Sequence, residues 1–180
     1  VVKLVARSPL AGETLGPVGD VVLSEADVSL ATSIAPFAGR AREVDALLRG
    51  ALGIGLPAPA ETLQAGGVRA LWTGRGRALV IGAAMPDGLA AMAAVTEQGD
   101  GIAALVITGP AAEEVLARLV PIDLRAASFP LDRTARTLVG HLSAQVTRVG
   151  QDAFEVMVMR SMGRTLVHEI AAAARMVAAR

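Results

Sequence analysis

Two histidines, a serine between a strand and a helix, three Gly-x-Gly pairs and two neighbouring arginines are the groups best placed to do chemistry in this chain. His141 falls in a β-rich run and His168 on a helical run beside Glu169. A metal site would want a further nitrogen or carboxylate at a fixed offset, and neither histidine has a His at i+4. Both read as ordinary surface or interface histidines. Ser161 lacks the Gly-x-Ser-x-Gly elbow that exposes a nucleophile, and no His-Asp pairing accompanies it. Gly53-Ile54-Gly55, Gly74-Arg75-Gly76 and Gly99-Asp100-Gly101 neither extend to Gly-x-Gly-x-x-Gly nor carry Gly-Lys-Ser, so they predict a helix cap and two hairpin turns rather than phosphate loops. Arg75 and Arg77 flank one such turn, where they could clamp an anion or be solvated. Trp72, the only tryptophan, reads as core rather than as a stacking platform. Trp72, Phe37, Phe129 and Phe154 are too scattered to announce a flavin or pterin wall. No residue is assigned as catalytic, cofactor-binding or metal-ligating.

The elements that would position these groups follow from spacing. Strands are expected over Val21 to Leu23 and Val28 to Ile34, then a helix from about Arg40 to Leu52 with Val44, Leu47, Leu48 and Leu52 on one face. Gly53 stands where a left-handed cap is wanted. Val68 to Thr73 and Arg77 to Ile81 form a hairpin, and a helix is expected from Asp87 to Ala94. Ala104 to Ile107 is an apolar run suited to a strand buried on both faces. Gly109-Pro110 ends it, and a helix from Pro110 to Leu119 carries Glu113 and Glu114 in its first turn, at the positive end of the macrodipole. A hairpin of Leu138 to Arg148 with Ala153 to Arg160 and a helix from Gly163 to Ala178 complete the chain.

The order strand, helix, hairpin, helix thus occurs twice, offset by about seventy to eighty residues, and the helix exits match as Gly-Ile-Gly-Leu and Pro-Ile-Asp-Leu. The expected fold is α/β (α+β), one domain over residues 1–180 with halves of about 20–97 and 98–180. Each half should hold five short strands and two helices. The stretch Gly53 to Pro59 and Gly66-Gly67 reads as a surface loop, because neither flank could bury a sizeable core alone.

Composition narrows the function. The absence of cysteine removes disulfides, a thiolate nucleophile, a zinc ribbon and an iron-sulfur cluster. The 17 basic and 17 acidic side chains cancel, so nucleic acid is not an expected partner. Ala78 to Thr96 carries a single charge, Asp87, but Met85-Pro86-Asp87-Gly88 interrupts the run, and no membrane span is expected. No signal peptide is recognisable, and a cytoplasmic location is the default. The 53% apolar share is high for a domain rich in alanine. On the last helix Leu166, Ile170, Ala173 and Val177 can cover a sheet while Ala171, Ala172, Ala174 and Ala178 would leave a second apolar face for a partner.

One stretch, Ile102 to Leu124 (IAALVITGPAAEEVLARLVPIDL), is similar to the folate-binding domain of aminomethyltransferases. Together with Gly53-Ile54-Gly55-Leu56-Pro57, Ala70-Leu71-Trp72-Thr73-Gly74, Phe129-Pro130, Arg136-Thr137 and Phe154 to Val158 followed by Arg160-Ser161, it resembles the gamma-subunit family of heterotetrameric sarcosine oxidases. The resemblance implies two β-β-α-β-β-β-α units whose first strands are exchanged. It also implies a non-catalytic structural subunit beside larger partner subunits that hold FAD, FMN, NAD and tetrahydrofolate. Those partners would demethylate sarcosine to glycine, with hydrogen peroxide and a folate-bound one-carbon unit as further products. Folate-using relatives carry an Asp shortly after the strand near the end of the domain, whereas Met159 to Val167 here holds arginines and no acid. Glu97 stands for the acid that opens the second half in many relatives, with Gly99 where a serine is common. Both departures suit a domain that keeps the fold without the ligand. The alternatives are a stand-alone folate-binding one-carbon transfer protein with a degenerate site, and a small interaction module.

Overall fold

The computed structural model describes Lys3 and residues 5–180. Eleven strands and three helices occur in the order β1 (Gly16–Val18), β2 (Val21–Glu25), β3 (Ala31–Pro36), α1 (Ala41–Leu52), β4 (Thr62–Ala65), β5 (Val68–Gly74), β6 (Arg77–Ile81), β7 (Ala93–Glu97), β8 (Ile102–Thr108), α2 (Ala112–Ala117), β9 (Thr134–Val139), β10 (Leu142–Gly150), β11 (Ala153–Met159) and α3 (Gly163–Ala178). They build two antiparallel sheets, β1-β2-β8-β11-β10-β9 and β4-β5-β6-β3-β7. The order of β2-β8-β11-β10-β9 in one sheet is that of β7-β3-β6-β5-β4 in the other. Each half therefore lends its opening strand to its twin: β2 pairs with β8, and β7 with β3.

Side-chain alternation along the strands sets the layers. Ile34, Ala70 and Val80 face outward from the smaller sheet and are buried with Val44 and Leu48 of α1. Leu105, Ile107, Phe154 and Val156 face outward from the larger sheet, against α2 and Leu166 and Ile170 of α3. Between the sheets lies a thin layer of Val28, Ala31, Leu71, Leu79, Ile81, Ala104 and Met157. The alanines in this layer let the sheets approach closely.

The internal symmetry reaches single residues. Both hairpins shift register at the same place, between Trp72 and Gly74 in one and between Arg148 and Gly150 in the other. Where the halves meet, Thr62 N–H donates to Asp132 O at 2.9 Å and Thr134 N–H to Ala60 O at 3.0 Å. Ala60 and Asp132 are the non-glycine residues in the left-handed region, at φ 64° and 62°. Each costs about 1–2 kcal/mol, a strain the reciprocal pair of hydrogen bonds offsets. The two helix exits are held by different carboxylates. In the first half Asp45 of α1 accepts Leu56 N–H at 2.8 Å, and a Cβ on Gly55 would come within 2.1 Å of that carboxylate oxygen, so glycine is what admits it. The Arg49 hydrogen bond at 2.7 Å, with that of Leu56, holds the Asp45 carboxyl below the usual range against its partial desolvation. In the second half Asp123 takes the glycine's place and brings its own carboxylate, bonded to Arg125 and Ser128.

Several sequence expectations give way here. Asp87 to Ala94 is not a helix: it holds a 3-10 turn over Leu89–Ala91, and β7 begins at Ala93. Alanine favours helix in isolation, but pairing with β3 decides. The first half thus has one α-helix, not two. Strand β3 begins three residues later than Val28. The run Leu138 to Arg148 is broken by a turn at Gly140 and His141, separating β9 from β10. Gly99–Gly101 is a 3-10 crossover between the sheets rather than a hairpin turn. The second alanine face expected on α3 is also mostly internal: Ala171 and Ala174 are buried within the chain, against α2 and the sheet, as is the sheet-facing Ala173, and only Ala172, half-buried, and Ala178, exposed, stay toward the surface. Among the described residues no helix is long and apolar enough to cross a membrane.

Candidate functional site

A cleft of about 440 Å³ opens at one end of the layer between the sheets. The inward-facing residues of both halves line it: Ser33, Thr73, Arg77 and Leu79 from the smaller sheet, Ser143, Gln145, Met157 and Met159 from the larger, with Gln98 and Arg136 at its margins. Alternation explains the polar content. On β10 the residues Ser143, Gln145 and Thr147 share the inward face, while Ala144, Val146 and Arg148 point toward the helices. Gln145 is fixed by two donations, from Nε2 to Trp72 O at 3.0 Å and to Thr134 Oγ1 at 2.6 Å. Among the described residues no hydrogen bond reaches its Oε1, and the residue lines the cleft. Arg77 and Arg136 are exposed and pair with no carboxylate among the described residues. The lining carries positive charge and hydroxyls, and it includes no Asp, Glu, His or Lys.

The groups singled out in the sequence do not converge. His141 is exposed in the β9–β10 turn, His168 is exposed on α3, and Ser161 lies on an exposed 3-10 turn. No cluster of His, Asp and Glu among the described residues could hold a metal. Arg77 reaches the cleft and Arg75 does not. Trp72 is half-buried on the α1 side of β5 rather than in the core clusters, which corrects its expected place. Arg136 and Gln145 escaped sequence reasoning as site residues; the polar alternation Ser143, Gln145, Thr147 inside an otherwise apolar strand was the available signal. Glu97 is exposed at the end of β7. At Gly99 a Cβ would sit 1.9 Å from the carbonyl oxygen of Ser29, so a side chain there forces the backbone apart. Gly99→Ser is expected to lower stability by about 1–3 kcal/mol in a urea titration. An unchanged midpoint would mean that the Ser29 turn yields freely.

The chain belongs to the GCVT N-terminal domain family, which matches residues 74–180. Among solved structures, a chain of the heterotetrameric sarcosine oxidase from Corynebacterium sp. U-96, in complex with pyrrole 2-carboxylate, superposes with a TM-score of 0.83 at 24% identity. The match covers 97% of this chain and 97% of that one. The glycine cleavage system aminomethyltransferase T from Bartonella henselae superposes with a TM-score of 0.55 at 15% identity, covering 87% of this chain and 49% of that one. The chain therefore spans about half of that enzyme. No curated protein matches it. Both structural likenesses concern the fold, and the fold is the one expected from the sequence.

The folate that the wider resemblance implies does not fit the cleft. A pterin presents adjacent N–H donors on its aminopyrimidine edge, and a carboxylate is the natural buried acceptor for them. None lines the cleft, and Glu155, the acid facing this layer on β11, is bound on both oxygens by Arg69. What remains is two neutral amides, three hydroxyls and two cations.

Proposed function

We propose that the chain is the non-catalytic, gamma-type subunit of a sarcosine oxidase-like hetero-oligomer. Its larger partners would hold FAD, FMN, NAD and tetrahydrofolate and carry out the oxidative demethylation. The observation that carries this reading is the end-to-end correspondence with a chain of equal extent in a heterotetrameric oxidase, against half of an aminomethyltransferase. The lining of the cleft, which holds amides, hydroxyls and arginines but no carboxylate, supports it from the chemical side. Exposed Phe37, Leu131, Leu138 and Met159, with Met176 on α3, offer apolar area for contacts.

Co-expression with the neighbouring reading frames tests the assignment. The chain should co-purify with flavin absorbance and amine-dependent peroxide formation, and it should show neither when isolated. A second measurement separates the rival, a stand-alone folate-binding one-carbon transfer protein. Calorimetry of the isolated chain with tetrahydrofolate should give no heat of binding in the micromolar range. Tight binding there, with no flavin-containing partner recovered, would establish the rival instead.

A further inference from the structure

The second half plugs a space that the first half leaves open. Arg148, 3% exposed, lies between β10, β11, the start of α2 and the segment before β9. Its guanidinium stacks on the Phe154 ring at 4.4 Å and donates to Phe129 O, Gln151 O, Leu124 O and Glu113. The hairpin registers equate Trp72 with Arg148 and Ala78 with Phe154. Pro57 precedes Thr62 by the same interval at which Phe129 precedes Thr134. Two rings and a guanidinium are thus replaced by an alanine, a proline and a tryptophan that does not fill the gap. What remains is a groove of about 320 Å³ lined by Pro36, Phe37, Pro57, Pro59, Trp72 and Ala78, with Arg75 and Arg77 at its mouth. Phe37 is 49% exposed. Neither arginine pairs with a carboxylate among the described residues.

We propose that this groove receives an acidic segment of a partner subunit, which inserts one aromatic side chain against Trp72 and places carboxylates against Arg75 and Arg77. The inference deepens the subunit reading and rests on it. The internal repeat supplies the aromatic requirement, because Phe154 shows what completes this space in the other half. Charge supplies the acidic one: two unpaired guanidiniums at the rim of an apolar groove favour carboxylates and repel a basic segment. Rings and prolines give rigid walls that lose little freedom when covered, as anchoring pockets do.

Trp72 is the only tryptophan, so its emission reads the groove directly. The probe is acetyl-Asp-Phe-Asp-amide at millimolar concentration, with acetyl-Lys-Phe-Lys-amide and acetyl-Asp-Ala-Asp-amide as controls. The first is expected to shift the emission to the blue in a saturable way and to reduce acrylamide quenching, and the controls to bind about tenfold more weakly. In the co-expressed complex Trp72 should be shielded from acrylamide. The exposed double substitution Arg75→Glu with Arg77→Glu should lower recovery of the chain in the complex about tenfold while the isolated variant keeps its Tm. Equal response to acidic and basic peptides, or no response to any, overturns the proposal. A double variant that assembles in full, with Trp72 still quenched, also overturns it and leaves the subunit reading standing. Failure of the wild-type chain to join any flavin-containing complex overturns both.

Discussion

Replacing Arg148 with methionine is expected to lower stability by about 3–5 kcal/mol and the Tm by roughly 10 °C. The side chain is 4% exposed, and its donors satisfy three carbonyls, Leu124 and Phe129 in the connection before β9 and Gln151 in the β10–β11 turn. Without it those carbonyls lose their partner in a space that Phe154 and Phe129 keep dry. Each orphaned acceptor costs about 1–3 kcal/mol before relaxation, and relaxation by water entry returns part of that. Glu113 matters less, because it is 40% exposed and water can replace the arginine on its carboxylate. Glu113→Gln should therefore cost under about 1 kcal/mol. Arg148→Lys should rescue little: an ammonium lacks the planar fork that serves several acceptors at once and stacks on a ring. Guanidinium denaturation of the three variants checks the order. A methionine variant within about 1 kcal/mol of the parent would mean that the Leu124 to Phe129 segment holds itself in place without the arginine.

The sequence made the repeat visible but not its partition into two sheets. Gly53 as a left-handed cap, the Gly74-Arg75-Gly76 hairpin, the apolar run of β8 and the length of α3 were legible because each depends on local chemistry: a φ of 73° at Gly53, a two-sided burial pattern, a helical stripe. Strands β1, β4 and β9 are not legible in the sequence because all three lie at sheet edges, and their residues, Gly16–Val18, Thr62–Ala65 and Thr134–Val139, mix small, polar and charged side chains with little hydrophobic alternation. Strand β7 was misread as helix because Ala93 and Ala94 carry helical propensity and no β signal, and only β3 beside them supplies the hydrogen bonds. The face of α3 failed for a related reason. Ala171 and Ala174 look surplus on a helical wheel, yet α2 packs against that side. At the cleft, the types of Arg77, Arg136 and Gln145 were in plain sight, but their convergence depends on strands from both halves meeting across the layer. That pairing is set by the exchange of β2 and β7, which no local pattern encodes.

Arg69→Met alone should lower stability by about 3 kcal/mol, whereas Arg69→Met combined with Glu155→Met should return close to the parent. Arg69 on β5 grips Glu155 on β11 through two parallel hydrogen bonds of 2.9 Å, one sheet to the other, at 19% and 3% side-chain exposure. Losing the arginine strands a carboxylate in the layer between the sheets. Losing both removes the desolvation cost together with the attraction, and methionine can occupy the space without a partner. The repeat provides an internal precedent, for the hairpin registers place Gln145 and Leu79 where Arg69 and Glu155 stand, and there Gln145 joins the sheets without charge through its bond to Trp72 O. A double-mutant cycle by urea denaturation should give a coupling of about 2–3 kcal/mol. Additive single effects would show that water already reaches Glu155 and that the pair contributes little to holding the sheets together. Because Arg69 and Glu155 lie on the inward faces and Trp72 on the outward one, the double variant should still assemble with its partners. Loss of assembly in a variant of unchanged stability would place the docking surface at the layer between the sheets instead of at the groove beside α1.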